Sequence, residues 1–175
     1  HLPARVAEPH SETAYMTDRA LQFIRETGDR PWVLHLSYIK PHWPLMAPAP
    51  YHAMYSADDV PPPVRSNAER DNAHPVVRAF MEIECSRTYS DDAKRAVAVP
   101  TYMGLIRQLD DHLGRLLREL EASGRLDDTA IIFTSDHGDY LGDHWLGEKE
   151  LFHDASARIP LIISDPDPSA DASRG

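Results

Sequence analysis

The run Ile131-Ile132-Phe133, followed at once by Thr134-Ser135-Asp136-His137-Gly138-Asp139, constrains this chain more than any other stretch. A short apolar, β-prone segment predicts a buried strand, and its carboxyl end breaks into a loop carrying an acid beside an imidazole. Successive side chains of a strand face opposite ways, so Asp136 and His137 converge only where the chain has already turned. Gly138 permits that turn at no steric cost. In open α/β sheets ligands bind beyond the carboxyl ends of the strands, which is where this pair falls. Lys149 follows twelve residues after His137, within reach of the same pocket.

Taken alone, an Asp-His pair after a strand is more often a turn with a solvated charge. The ordered company of this pair reverses that reading. Gly142-Asp143-His144, Lys149 and the apolar run Arg158-Ile159-Pro160-Leu161-Ile162-Ile163 follow it in sequence. Together, over residues 134–163, they resemble the sulfatase branch of the alkaline phosphatase superfamily, most of all its phosphonate monoester hydrolase and arylsulfatase group. The resemblance extends over most of the chain. It implies an α/β fold, alkaline-phosphatase-like, with a mostly parallel sheet and flanking helices, of which residues 1–175 form part of one catalytic domain.

Composition excludes several other classes. At 175 residues the chain is long enough for one domain with a core. No apolar run approaches the ~20 residues of a membrane span, and a net charge of −10 argues against a nucleic-acid surface. The single cysteine, Cys85, excludes an intrachain disulfide and implies no oxidising compartment, which points to the cytoplasm rather than secretion. The first residue is His1 rather than an initiator Met, so a fragment of a longer protein is expected. Homo-oligomer formation is left open.

Along the chain, Ser11 is placed to cap a helix. Met16, Ala20, Phe23 and Ile24 carry its apolar spacing, and Gly28 is placed to end it. Trp32–Tyr38 reads as a strand, so that a helix crossing from it to residues 131–133 would build a right-handed βαβ unit. After it comes Lys40-Pro41-His42-Trp43-Pro44, in which two prolines fix the backbone around an imidazole. On the residues alone, a catalytic role for His42 and an incidental surface turn weigh about evenly. The resemblance favours a substrate-contacting histidine.

Residues 46–92 form an irregular excursion, broken by Pro48, Pro50 and Pro61-Pro62-Pro63. A helical turn is expected near Ala53–Tyr55 and a short helix over His74–Ile83. Apolar anchors such as Phe80 and Met81 argue for an ordered, functional excursion rather than disorder. Asp91 or Asp92 then caps a long helical segment reaching Ser123, which Pro100 should kink or split. Ile106, Leu109, Leu113, Leu116, Leu117 and Leu120 repeat along it as a buried stripe.

The chemistry follows from these residues and from the resemblance. Asp136 and His137 supply an oxygen and a nitrogen donor, which suits one divalent ion of Ca, Mn, Mg or Zn without choosing between them. Two ligands do not complete a shell. The resemblance implies that upstream acidic residues and a formylglycine nucleophile, neither in this chain, supply the rest. Cys85 is rejected as that nucleophile: in Cys85-Ser86-Arg87-Thr88 the arginine stands at the wrong spacing and the small residue or proline is missing.

Lys149 is expected to offset charge on a non-bridging or leaving oxygen, and His42 to contact the substrate and donate a proton. Asp139 and Asp143 are read as supporting or solvated groups, and His144 and His153 as surface residues before pocket-lining ones. The expected substrate is a small anionic ester of phosphonate, phosphate or sulfate, with no nucleic-acid or membrane partner. The chain by itself is expected to be inactive. The rivals are a two-metal phosphatase of the same superfamily, an arylsulfatase proper, and a metal- or anion-binding module without catalysis.

Overall fold

The computed structural model describes residues 2–173. Its packing divides the chain into two compact units, one of His1–Asp59 with Pro100–Asp127 and one of Val60–Val99 with Asp128–Gly175.

In the first unit helix α1 spans Glu12–Thr27. Ser11 Oγ accepts from the Ala14 N–H at 3.2 Å, and Gly28 stops the helix with φ 58°. Both ends were legible because a cap and a terminator act locally. The buried stripe is Thr13, Ala14, Thr17, Ala20, Leu21 and Ile24. Phe23 is partly exposed and meets Trp32 edge-on, with ring centroids 6.2 Å apart.

The expected strand Trp32–Tyr38 is not one among the described residues. Its burial alternates residue by residue, as in a strand, but no backbone pairs with it. What holds it is side-chain docking, with the Tyr38 hydroxyl 2.7 Å from Thr17 Oγ1 on α1.

Helix α5, Asp92–Ala122, runs unbroken through Pro100, where the boundary between the two units falls. Asp91 Oδ1 accepts from the N–H groups of Ala93 and Lys94, which caps the helix. Its apolar stripe is corrected: Ile106 is 45% and Leu117 43% exposed, whereas Leu105, Gln108 and His112 are buried. The polar pair tolerates burial because it is satisfied. Gln108 donates to Ser11 Oγ at 2.9 Å, and His112 Nε2 lies 2.7 Å from Glu8 Oε1. Leu105 packs with Ala47 and Tyr51.

In the second unit the excursion holds more helix than its prolines suggested. Helices α2 (Asn67–Asp71), α3 (Pro75–Met81) and α4 (Glu84–Ser90) occupy it. The segment read as one helix over His74–Ile83 is shorter, and a second begins at Glu84. Strands β1 (Ile131–Thr134) and β2 (Leu161–Ser164) pair antiparallel, Ile132 opposite Ile163. This corrects the mostly parallel sheet and the βαβ unit for the described residues. Parallel pairing needs a crossover connection, usually a helix, and between β1 and β2 lie only a short turn at Asp143–Trp145 and the four-residue helix α6, Asp154–Ala157.

β1 was also expected to be buried. Instead Ile132, Leu161, Ile162 and Ile163 are about three-fifths exposed, because no layer of the described chain covers them. A core does form in this unit, from Met81, Tyr140 and Leu146. No helix among the described residues is long and apolar enough to cross a membrane.

Candidate active site

The chain leaves β1 at Thr134 and turns within four residues. Thr134 Oγ1 donates to Pro160 O at 2.8 Å, and Ser135 Oγ to His137 O at 3.1 Å. The turn brings Asp136 Oδ2 to 3.6 Å from His137 Nε2. Donors bound ~2.0–2.1 Å from a tetrahedral ion stand roughly 3.4 Å apart, so one ion spans this pair with little movement. His137 Nδ1 lies 2.7 Å from Gly138 O. A backbone carbonyl on one ring nitrogen fixes the tautomer that offers the other to a metal, here Nε2. Asp136 is largely exposed and His137 about one-quarter so, which suits an oxygen donor reached from solvent beside an oriented nitrogen donor. The pair therefore fits the divalent ion read from the sequence.

Lys149 belongs to the same unit, and its backbone is held to the Asp136–His137 loop by a short lattice of hydrogen bonds. The Gly138 N–H donates to Ser156 O at 2.7 Å, and Ser156 Oγ donates to Lys149 O at 2.6 Å. The Tyr140 N–H donates to Glu148 O at 2.9 Å, and Asp139 Oδ1 accepts from the Glu148 and Leu141 N–H groups. Ser156 is buried and is the residue on which the loops of His137 and Lys149 meet. Sequence reasoning missed it, since a serine in a short turn carries no distinctive signal. Gly138 was singled out for its turn, yet its stricter constraint is steric. A Cβ there would press deep into the Ala155 carbonyl, with the carbonyl carbon at 3.1 Å.

Asp139 and Asp143 are structural. Asp139 clamps its own loop as above, and Asp143 Oδ1 accepts from the Val64 N–H at 2.8 Å. His144 and His153 are not the surface residues expected. Both are half-buried, and their rings stack with centroids 4.0 Å apart and planes at 18°. His144 Nδ1 lies 2.6 Å from Glu69 Oε1, and His153 Nδ1 lies 2.9 Å from the Tyr140 hydroxyl. Burial, then the neighbouring His144, holds the His153 imidazole below the usual histidine range.

Cys85 sits on α4, where burial and, next, the Glu148 carboxylate push its thiol up. A thiol so placed is a poor nucleophile.

His42 lies in the first unit, on the proline loop. Lys40 Nζ donates to Pro44 O at 2.9 Å and to His42 O at 3.3 Å, bracing that loop. Burial lowers the Lys40 pKa. His42 Nδ1 lies 2.9 Å from Trp43 O, and its ring stacks on Trp43.

Comparison with known proteins gives a consistent picture. Residues 5–174 match the Sulfatase family. The multifunctional alkaline phosphatase superfamily protein PehA of Trinickia caryophylli is 41% identical over 175 residues, 93% of this chain and 34% of its own length. An arylsulfatase of Clostridium perfringens is 31% identical, over 88% of this chain and 32% of its own. Among solved structures, the phosphonate monoester hydrolase of Silicibacter pomeroyi superposes with a TM-score of 0.83 at 34% identity, covering 94% of this chain and 35% of that one. The chain thus spans about a third of the length of the relatives it matches.

Proposed function

This chain belongs to the sulfatase family of the alkaline phosphatase superfamily, and from that premise we propose that it forms the metal- and leaving-group-handling part of an ester hydrolase. The substrates are phosphonate or phosphate monoanionic esters, sulfate esters, or both. The observation that carries this reading is the convergence of Asp136 Oδ2 and His137 Nε2 with Nδ1 already committed to Gly138 O.

A divalent ion on that pair would polarise the anionic oxygens of the ester. Lys149, whose backbone Ser156 ties to the same loop, would place a cation against charge developing on a non-bridging or leaving oxygen. His42 would bind the substrate and deliver a proton to the departing alkoxide or phenoxide. With Nδ1 against the Trp43 carbonyl, Nε2 is the atom that would carry that proton. The nucleophile, and the remaining metal ligands, would come from sequence outside these residues.

Phosphonate esters lead over sulfate esters because residues 144–154 are closer to the phosphonate monoester hydrolase pattern. The likeness to the Silicibacter pomeroyi enzyme supports that order. The test is hydrolysis of matched aryl phosphonate, phosphate diester and sulfate monoester by the full-length protein carrying this sequence, with and without chelator. Chelator-sensitive turnover fastest on the phosphonate is expected. A sulfate preference would move the protein to the arylsulfatases, and no turnover on any substrate would overturn the reading.

A further inference from the structure

We propose that Glu69, His144 and His153 form a second metal site, for a zinc-class divalent ion, that uses neither Asp136 nor His137. Three segments converge on it: α2, whose Glu69 lies 75 residues before His144, the turn after Gly142, and the residue preceding α6. One donor atom from each residue lies within 4.8 Å of the other two. Donors on a tetrahedral ion stand roughly 3.4 Å apart, so the widest pair closes by about an ångström and a half or less. The Glu69 oxygen and His144 Nδ1, now at 2.6 Å, need to part by under an ångström to admit the ion between them. Two imidazoles and one carboxylate are the protein ligands of open zinc sites, with a solvent molecule as the fourth. Nitrogen-rich sets of this kind select zinc over calcium or magnesium.

Because the two rings stack nearly parallel, one imidazole turns about its side-chain bonds to bring its in-plane lone pair onto the ion, and the surroundings fix the segments that carry the ligands. The Tyr140 hydroxyl, on a side chain only 2% exposed, meets His153 Nδ1 at 2.9 Å and accepts the His153 N–H at 3.3 Å. This is the kind of outer hydrogen bond that accompanies a metal-ligating histidine, and with Nδ1 engaged it leaves Nε2 as the donor. The guanidinium groups of Arg65 and Arg70 lie over the Trp145 ring, 4.2 and 4.4 Å from its centroid. Its Nε1 donates to Ser66 O at 2.8 Å. That clamp fastens α2, and with it Glu69, to the turn bearing His144. His144 itself is held at φ 55°, a left-handed conformation that a non-glycine residue adopts only where its surroundings enforce it. Glu69 and His144 are each about one-third exposed or less, so the ion has access from solvent.

The test is a calorimetric titration of the chain with Zn2+ against a competing chelator, paralleled by Co2+ absorption as a geometry probe. Wild type is expected to take up a Zn2+ ion and to melt at a higher temperature with it. His153→Gln should weaken that binding by more than about 100-fold. Glu69→Gln, on a short surface helix, should weaken it by at least about 10-fold, and Tyr140→Phe by roughly 10-fold. Asp136→Asn/His137→Gln should leave it intact, with the tetrahedral Co2+ bands unchanged, which separates this site from the one under the proposed function. Wild-type affinity in both His153→Gln and Glu69→Gln would overturn the proposal, as would Zn2+ binding lost only in Asp136→Asn/His137→Gln. Should His153→Gln fail to fold, Glu69→Gln alone decides, with the same two outcomes.

Discussion

Gly138→Ala is the sharpest perturbation of the frame that joins His137 to Lys149. Gly138 has a φ outside the left-handed region, so the new methyl meets no torsional penalty. Its whole effect is contact with the Ala155 carbonyl, whose carbon would lie 3.1 Å away and whose oxygen nearer still. Restoring ordinary van der Waals separation requires the two backbones to part by on the order of 1 Å. That stretches the 2.7 Å bond from the Gly138 N–H to Ser156 O past hydrogen-bonding distance. The lost bond at a buried residue costs about 1–3 kcal/mol, and the residual overpacking about 1–3 kcal/mol. A total near 4 kcal/mol corresponds to a melting temperature lower by roughly 8–16 °C for a chain of this size. The assay is thermal denaturation followed by circular dichroism, with Gly124→Ala as the reference. Gly124 sits at φ 69° with nothing within 4 Å of the place a methyl would take, so alanine there costs only its left-handed torsion, about 1–2 kcal/mol. A Gly138→Ala chain that melts no lower than Gly124→Ala would refute the steric reasoning.

Further perturbations address the remaining groups. Lys149→Ala in the full-length protein should reduce kcat by about 100-fold or more while shifting the melting temperature little; unchanged turnover would remove Lys149 from its assigned role. Glu8→Ala deprives the buried His112 of its 2.7 Å partner and Gln108 of one of its two. A loss of about 1–3 kcal/mol in urea unfolding is expected. The Cys85 thiol, raised by burial and by Glu148, should react with iodoacetamide at pH 8 more slowly than glutathione does. Glu148→Gln should speed that reaction. The Tyr51 phenol is pushed up to about 12 by burial and by its hydrogen bond to Asp111, against ~10 when unfolded. The folded state then holds the extra proton between these values, so Tyr51 contributes stability that is intact below about pH 10 and lost as pH rises toward 12. Denaturant unfolding of Tyr51→Phe should show a shallower decline over that window.

What could be read from the sequence was what is decided locally. Ser11, Gly28 and Asp91 mark helix ends because a cap or a left-handed terminator acts within one turn. The Asp136-His137-Gly138 turn was legible for the same reason, including the approach of the two side chains. Pairing is not local. Trp32–Tyr38 has the alternating burial of a strand and yet no ladder among the described residues, and nothing within seven residues specifies a partner. The antiparallel register of β1 and β2 is likewise a property of two segments at once.

Hydrophobic periodicity misled on α5 because Gln108 and His112 are buried by partners roughly a hundred residues away, where a count of leucines does not reach. The same distance hid Glu69 behind His144, 75 residues apart. In each of these cases a polar side chain is buried because a remote group satisfies it, and that condition belongs to the fold rather than to any window of sequence. The residues that orient the site obey this rule too. Ser156 Oγ acts through the Lys149 carbonyl and the Tyr140 hydroxyl through the His153 ring, partners that only the folded chain presents. The turn that brings Asp136 to His137 was therefore open to sequence reasoning, whereas the frame that ties it to the Lys149 loop emerges only once the loops are in contact.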